Sequence, residues 1–185
     1  SRPRLARMTA AGRPMIFTEN EAHVIRKIRA IARGNPRTLD FLSAVVASAR
    51  EEHARAAELV RDRGLDTVDD PAMLAHVGTM LLEAGDAAEA RRVLERALEL
   101  DPLHPNALLG LGRVALAEDD AGRTRELVGR ALALRPVYPG AYLFLGRALE
   151  TLGDPAGAAD AYRTGIAQNP NFPEAHERLA RVVRE

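Results

Sequence analysis

Residues 71–104 read PAMLAHVGTMLLEAGDAAEARRVLERALELDPLH, and residues 105–138, PNALLGLGRVALAEDDAGRTRELVGRALALRPVY, restate the same pattern. A third copy, PGAYLFLGRALETLGDPAGAADAYRTGIAQNPNF, fills 139–172 with no insertion. Pro71, Pro105, Pro139 and Pro173 are thus 34 residues apart, as are Gly78, Gly112 and Gly146, and Pro102, Pro136 and Pro170. Apolar columns run between these markers: Leu74, Leu108 and Tyr142; Val77, Leu111 and Leu145; Leu94, Val128 and Tyr162. A fixed period of this size marks one supersecondary unit used repeatedly, each copy needing its neighbours to bury its apolar face.

Within a unit the residues predict two antiparallel helices. Proline opens the first, where its missing N–H costs nothing, and Asp70 ahead of Pro71 is a ready N-cap. That helix stops at Gly85-Asp86, Asp119-Asp120 and Gly153-Asp154, where Gly85 and Gly153 can turn left-handed and Asp86, Asp120 and Asp154 can cap the second helix. Glu89, three residues after Asp86, has capping-box spacing, and Pro155 sits just inside the start of its helix. The second helix ends before Asp101-Pro102, Arg135-Pro136 and Asn169-Pro170, because proline disfavours a helical residue ahead of it. Gly78, Gly112 and Gly146, with Ala90, Ala97, Ala131 and Ala158, stand where paired helices must come close. The second helix of the middle unit, with Gly122, Thr124 and Gly129, is expected to be the softest of the array.

Composition agrees with this reading. Hydrophobic residues make up 46% of the 185, charged residues 28% and aromatics 4%, with no Trp, so the core must be built from Ala, Leu and Val. That favours close helix packing over a sandwich of strands. The absence of Cys excludes disulfides and thiolate metal sites. No apolar run approaches the roughly 20 residues that span a bilayer, and no leader is recognisable, so a cytoplasmic location without a membrane span is expected. The formal charge is zero but unevenly placed. Residues 1–37 hold nine basic groups against Glu19 and Glu21, a net +7, which leaves −7 on the remainder.

Upstream of the repeats, residues 1–17 read as a basic arm without regular structure. Thr18 to Glu21 has capping-box spacing, and Val24, Ile25, Ile28, Ile31 and Ala32 then share one face, predicting a helix over 19–33 that ends at Gly34 within a segment 18–36. Residues 37–70 are helical in pattern, through Leu39, Leu42, Val45, Val46, Ala49, Ala56, Leu59 and Val60. Counting back 34 from Pro71 makes them a divergent unit, with Ala44 in the glycine column; one long helix with no break near residue 51 is the competing reading. Residues 173–185 read as a final capping helix.

Little in the chain points to catalysis. Gly110-Leu111-Gly112-Arg113-Val114-Ala115 fits the glycine pattern of a dinucleotide turn, but that turn needs a strand ahead of it, and the register places these residues inside a helix. His23, His53, His76, His104 and His176 show no metal-ligand spacing. Paired acids such as Asp69-Asp70 fall at helix starts, where capping accounts for them. No cofactor, metal or small-molecule substrate is implied. The basic stretch lacks interleaved aromatics, which argues against nucleic acid.

At the columns quoted above the chain resembles the tetratricopeptide repeat family, over units 71–104, 105–138 and 139–172. The resemblance implies an all-α, right-handed α-solenoid of antiparallel helix pairs, here with an N-terminal helical extension, acting as a non-catalytic scaffold for a peptide or partner protein. Leu74 and Leu108 depart from the family's usual Trp. By the same resemblance, first helices line a groove through Ala75, Leu109, Leu143 and Glu177; Thr79, Arg113, Arg147 and Arg181; and Leu82, Leu116, Glu150 and Arg184. The implied site is an apolar floor beside three arginines, whose forks can hold carboxylates of an acidic partner. Ala75 and Thr79 stand where chaperone-tail receptors of the family carry clamp residues, and Gly140 and Phe144 replace later ones, so that partner is not implied. Two other expectations compete: self-association through helix 19–33, giving a homo-oligomer, and service as the docking domain of a larger enzyme or secretion assembly.

Overall fold

The computed structural model describes residues 36–184; the basic arm 1–17 and the helix expected over 19–33 lie outside the described residues. The chain forms α1 (Pro36–Ala49), α2 (His53–Asp62), α3 (Pro71–Glu83), α4 (Ala87–Leu100), α5 (Pro105–Ala117), α6 (Ala121–Leu134), α7 (Pro139–Thr151), α8 (Pro155–Gln168) and α9 (Pro173–Val182). A 3-10 turn at Leu65–Thr67 joins α2 to α3, and among the described residues there is no strand. α1, α3, α5 and α7 each pack on the even helix that follows, each pair leans on the next and α9 rests on α8, which makes an α-solenoid. The first helices α3, α5 and α7 also adjoin one another, so their exposed sides form a continuous face.

Helix ends follow the local chemistry expected of them. The carboxylates of Asp70, Asp86, Asp120 and Asp154 accept from the backbone N–H of Met73, Glu89, Arg123 and Gly157 at 2.9–3.1 Å. The turn inside each pair is the same object four times. Glu51, Gly85, Asp119 and Gly153, each 34 residues from the next, take φ of 59°, 88°, 61° and 76°. The N–H groups of Glu52, Asp86, Asp120 and Asp154 then donate to the carbonyls of Ala47, Leu81, Ala115 and Leu149 at 2.9–3.0 Å. This is the left-handed helix stop that satisfies orphan carbonyls. α1 and α2 are therefore two helices broken at Glu51, not one. Their turn was hard to read because Glu51 and Glu52 stand where the other units use Gly or Asp, and Glu52 makes no side-chain cap.

Pairs close through a small residue facing a large one. A Cβ on Gly112 would come within 2.7 Å of Val128 Cγ2, and Cβ atoms on Gly78 and Gly146 would collide with Leu94 and Tyr162. The glycines thus let the two helices of each pair approach, and the facing side chains are fully buried. Gly110 does the same between pairs: its Cβ would lie 2.7 Å from Leu94 Cδ2. The glycines that resembled a nucleotide turn are packing residues in the middle of α5. Thr124 is likewise no weak point, since its buried hydroxyl lies 3.1 Å from the Gly112 carbonyl and 2.9 Å from that of Asp120, tying α6 to α5. What remains of the softness expected in α6 comes from Gly122 and Gly129, exposed helix glycines that each cost roughly 0.5–1 kcal/mol relative to Ala.

Candidate functional site: the face of the first helices

Arg113, Arg147 and Arg181 stand on α5, α7 and α9, but they differ in what they touch. Arg113 reaches back to α3, where its Nη2 is 3.5 Å from Glu83 Oε1. Its guanidinium carbon also sits 5.3 Å from the centroid of the Phe144 ring on α7. Arg147 lies over the same ring at 5.8 Å. Phe144 therefore has two cations against its ring, each contact worth roughly 0.5–1 kcal/mol at exposed sites. Arg181 turns along its own helix to Glu177, 3.1 Å away, and is exposed. The three arginines are not an even ladder: two have carboxylate partners, and among the described residues Arg147 has none within 4 Å.

Glu83 extends the array toward the first hairpin. Its Oε2 accepts from Ser48 Oγ at 3.0 Å and lies 3.9 Å from His53 Nδ1. That nitrogen is buried and, among the described residues, has no hydrogen-bond partner. Contacts thus run from α1 and α2 through Glu83 and Arg113 to Phe144 and Arg147 on α7. Glu83, Phe144, Ser48 and His53 were not among the residues expected to line the site. The spacing held a signal for two of them: Glu83 follows Thr79 by four and Phe144 precedes Arg147 by three, so both share a helix face with the arginine column.

Several expected groove residues are committed elsewhere. Leu109 is 7% exposed and Leu143 4%, so both belong to the core and offer little floor to a ligand. Leu143 packs with Ala158, Tyr162 and Ala175. Glu150 accepts a hydrogen bond from the Tyr162 hydroxyl and lies 3.5 Å from Arg178 Nη1. Burial, reinforced by the hydrogen bond to Glu150, pushes the Tyr162 phenol well above the ordinary tyrosine range, so it stays a donor at neutral pH. Thr79 donates to the Ala75 carbonyl at 3.1 Å. Leu82 and Leu116, half-buried, are the leucines of the expected set left in part at the surface.

A different network holds the opposite side. Arg61 on α2 lies 2.7 Å from Asp86 and 2.8 Å from Glu89, while Arg92 and Arg96 on α4 reach Asp66 and Asp69 at 2.6 and 2.9 Å. The N–H of Glu89, with Arg61 alongside, holds the Asp86 carboxyl below the usual range. Among the described residues no cluster of His, Asp and Glu could hold a metal, and no helix is long and apolar enough to cross a membrane.

With this architecture in place, comparison with known families is decisive. Tetratricopeptide repeats are matched over residues 81–121 and again over 139–182. The chain carries tetratricopeptide repeats over these two stretches. Among solved structures, MamA is similar at 21% identity and a TM-score of 0.62, over 76% of this chain and 82% of that one. The first tetratricopeptide domain of Spaghetti (RPAP3), bound to the HSP90 peptide SRMEEVD, is similar at 21% identity and 0.59, over 62% and 91%. The Cut9–Hcn1 complex of the APC/C gives 20% identity and 0.76 over 88% of this chain, which spans a third (33%) of that one. Comparison with curated protein sequences finds no match.

Proposed function

We propose that this tetratricopeptide solenoid is a non-catalytic interaction scaffold that holds a segment of a partner protein against α3, α5 and α7. The observation that carries the reading is Arg147, a cation stacked on Phe144 with no carboxylate of its own among the described residues. An anion offered by a partner would complete it, while Leu82, Leu116 and the edge of Phe144 supply apolar contact. Arg113 is already neutralised by Glu83 and serves to hold the Phe144 ring. The ligand that fits is a peptide with one acidic side chain next to an apolar or aromatic anchor, rather than a run of acids. The Spaghetti (RPAP3) domain, bound to an HSP90 peptide with acidic residues, gives a precedent for acidic ligands on this fold. We also read 37–70 as a divergent fourth repeat, on the strength of the turn it shares with the other three.

An array of immobilised peptides, varied in charge and apolar content, tests the proposal with the full chain as probe. Acidic–apolar peptides should be retained. Arg147→Glu should weaken them by about tenfold or more, the scale of losing one charge-assisted contact, while Arg181→Glu leaves them unchanged. Equal binding by the parent and Arg147→Glu proteins rejects this face as the site.

A further inference from the structure

We propose that the exposed side of α6 is a second docking surface, which takes an acidic, leucine-bearing helix of a partner protein. The preceding repeat shows what is unusual about it. On α4, Arg91 pairs with Glu118 and lies 3.9 Å from Glu95 of its own helix. Arg96 pairs with Asp69 at 2.9 Å and with Glu99 at 3.1 Å. Both arginines are thus satisfied within the chain.

One repeat on, 34 residues later, the same two columns of α6 are again arginine, Arg125 and Arg130. Every one of the carboxylates is gone. The columns of Glu118, Glu95, Asp69 and Glu99 now hold Leu152, Gly129, Leu103 and Ala133. Leu103 is 63% exposed and Leu152 43%, and Gly129 and Ala133 are exposed as well. Arg125 and Arg130 are also exposed, and among the described residues neither lies within 4 Å of a carboxylate. The following repeat carries Ala159 and Thr164 in the arginine columns, so the arrangement belongs to the middle pair alone.

The comparison also says what the occupant offers. On α4 these columns are completed by carboxylates, so carboxylates of a partner complete Arg125 and Arg130 by the same charge-assisted hydrogen bonds. Apolar side chains of that partner cover Leu103 and Leu152, which gain from leaving water. Arg125, Gly129 and Ala133 follow one another at intervals of four, so the low strip runs along α6 and suits a helix laid beside it. A Cβ on Gly129 would meet nothing within 4 Å, which leaves the approach open. Even with Arg123 counted, three basic residues fall short of the roughly 4–8 of a lipid-binding cluster, and Glu126 among them repels phosphates. α6 is a second helix, so this surface is separate from the face of α3, α5 and α7, and the proposal does not rest on the reading above.

Fluorescence anisotropy with synthetic amphipathic helices, titrated with the full chain, tests it. A peptide with a leucine stripe flanked by glutamates should bind, and the same peptide with lysine for each glutamate should not. Leu103→Asp with Leu152→Glu restores the acids of the preceding repeat. It should weaken binding by about tenfold or more, at a melting temperature no lower than the parent's, because the new carboxylates pair with Arg130 and Arg125. Arg147→Glu should leave this binding unchanged. Absence of binding by the acidic peptide, equal binding by parent and double variant, or a loss with Arg147→Glu each overturns the proposal. So does capture of RNA or phosphatidylserine vesicles, or pairing of two copies in sedimentation, that the double variant abolishes. Arg125→Gln with Arg130→Gln keeps the proposal falsifiable should the double variant misfold: lost binding at an unchanged melting temperature is expected, and retained binding overturns it.

Discussion

The α3–α4 and α7–α8 pairs share a register, a left-handed turn and an aspartate cap, yet they leave different surfaces behind. In the first, Leu94 fills the space above Gly78 and Leu82 remains half-exposed on the face of the first helices. In the second, Tyr162 fills the space above Gly146, and its hydroxyl draws in Glu150, the counterpart of Leu82. Arg178 of α9 joins from the next helix, 3.5 Å from Glu150. One residue in the second helix therefore decides whether its neighbour in the first is tethered by a hydrogen bond or held by apolar packing alone. The repeat conserves backbone and volume; the polar tip of a single side chain reassigns the surface.

The comparison can be broken most forcefully at Tyr162. Tyr162→Ala opens a cavity above Gly146 and strips Glu150 of its donor, so a loss of about 3–5 kcal/mol is expected in denaturant unfolding. A loss no greater than that of an exposed substitution would show that α7 and α8 close without it. Gly78→Ala attacks the other pair by placing a methyl against Leu94, and overpacking of this kind costs roughly 1–3 kcal/mol. Thermal melting should place this variant between the parent and Tyr162→Ala.

Tyr162→Phe isolates the polar tip. It keeps the ring and removes one hydrogen bond, costing about 1 kcal/mol by chemical unfolding. It should also release Glu150 toward the face, placing a carboxylate near Arg147 and weakening acidic peptides without affecting neutral ones. Identical peptide profiles for parent and variant would mean that Glu150 is held by Arg178 alone. The smallest effect belongs to the turns. Asp119 is a non-glycine residue at φ 61°, in the column that Gly85 and Gly153 fill at 88° and 76°. Asp119→Gly should stabilise the middle pair by up to about 1 kcal/mol, read as a raised melting temperature.

How much of this was legible follows from the range of each interaction. Asp70, Asp86, Asp120 and Asp154 were readable as caps because each acts on an N–H three residues away. Gly78, Gly112 and Gly146 were readable as contact points because they recur. The arginines could be assigned to helices from the register, but the contacts of this face could not: Arg113 and Glu83 are 30 residues apart, and Glu150 and Arg178 are 28 apart. Thr124 looked like a defect because its second acceptor, the Gly112 carbonyl, lies on another helix.

By itself the sequence determined the solenoid: its period, helix boundaries, caps, and the pairing of small with large residues. These depend on hydrogen bonds within a few residues and on volume repeated at a constant interval. Only the tertiary structure decided which groups on the first helices remain available to a partner. The lateral offset between neighbouring helices sets whether a guanidinium meets a carboxylate, a ring or open solvent. That offset depends on side-chain packing across pairs, so Arg147 emerged as the open cation while Arg113 and Arg181 did not.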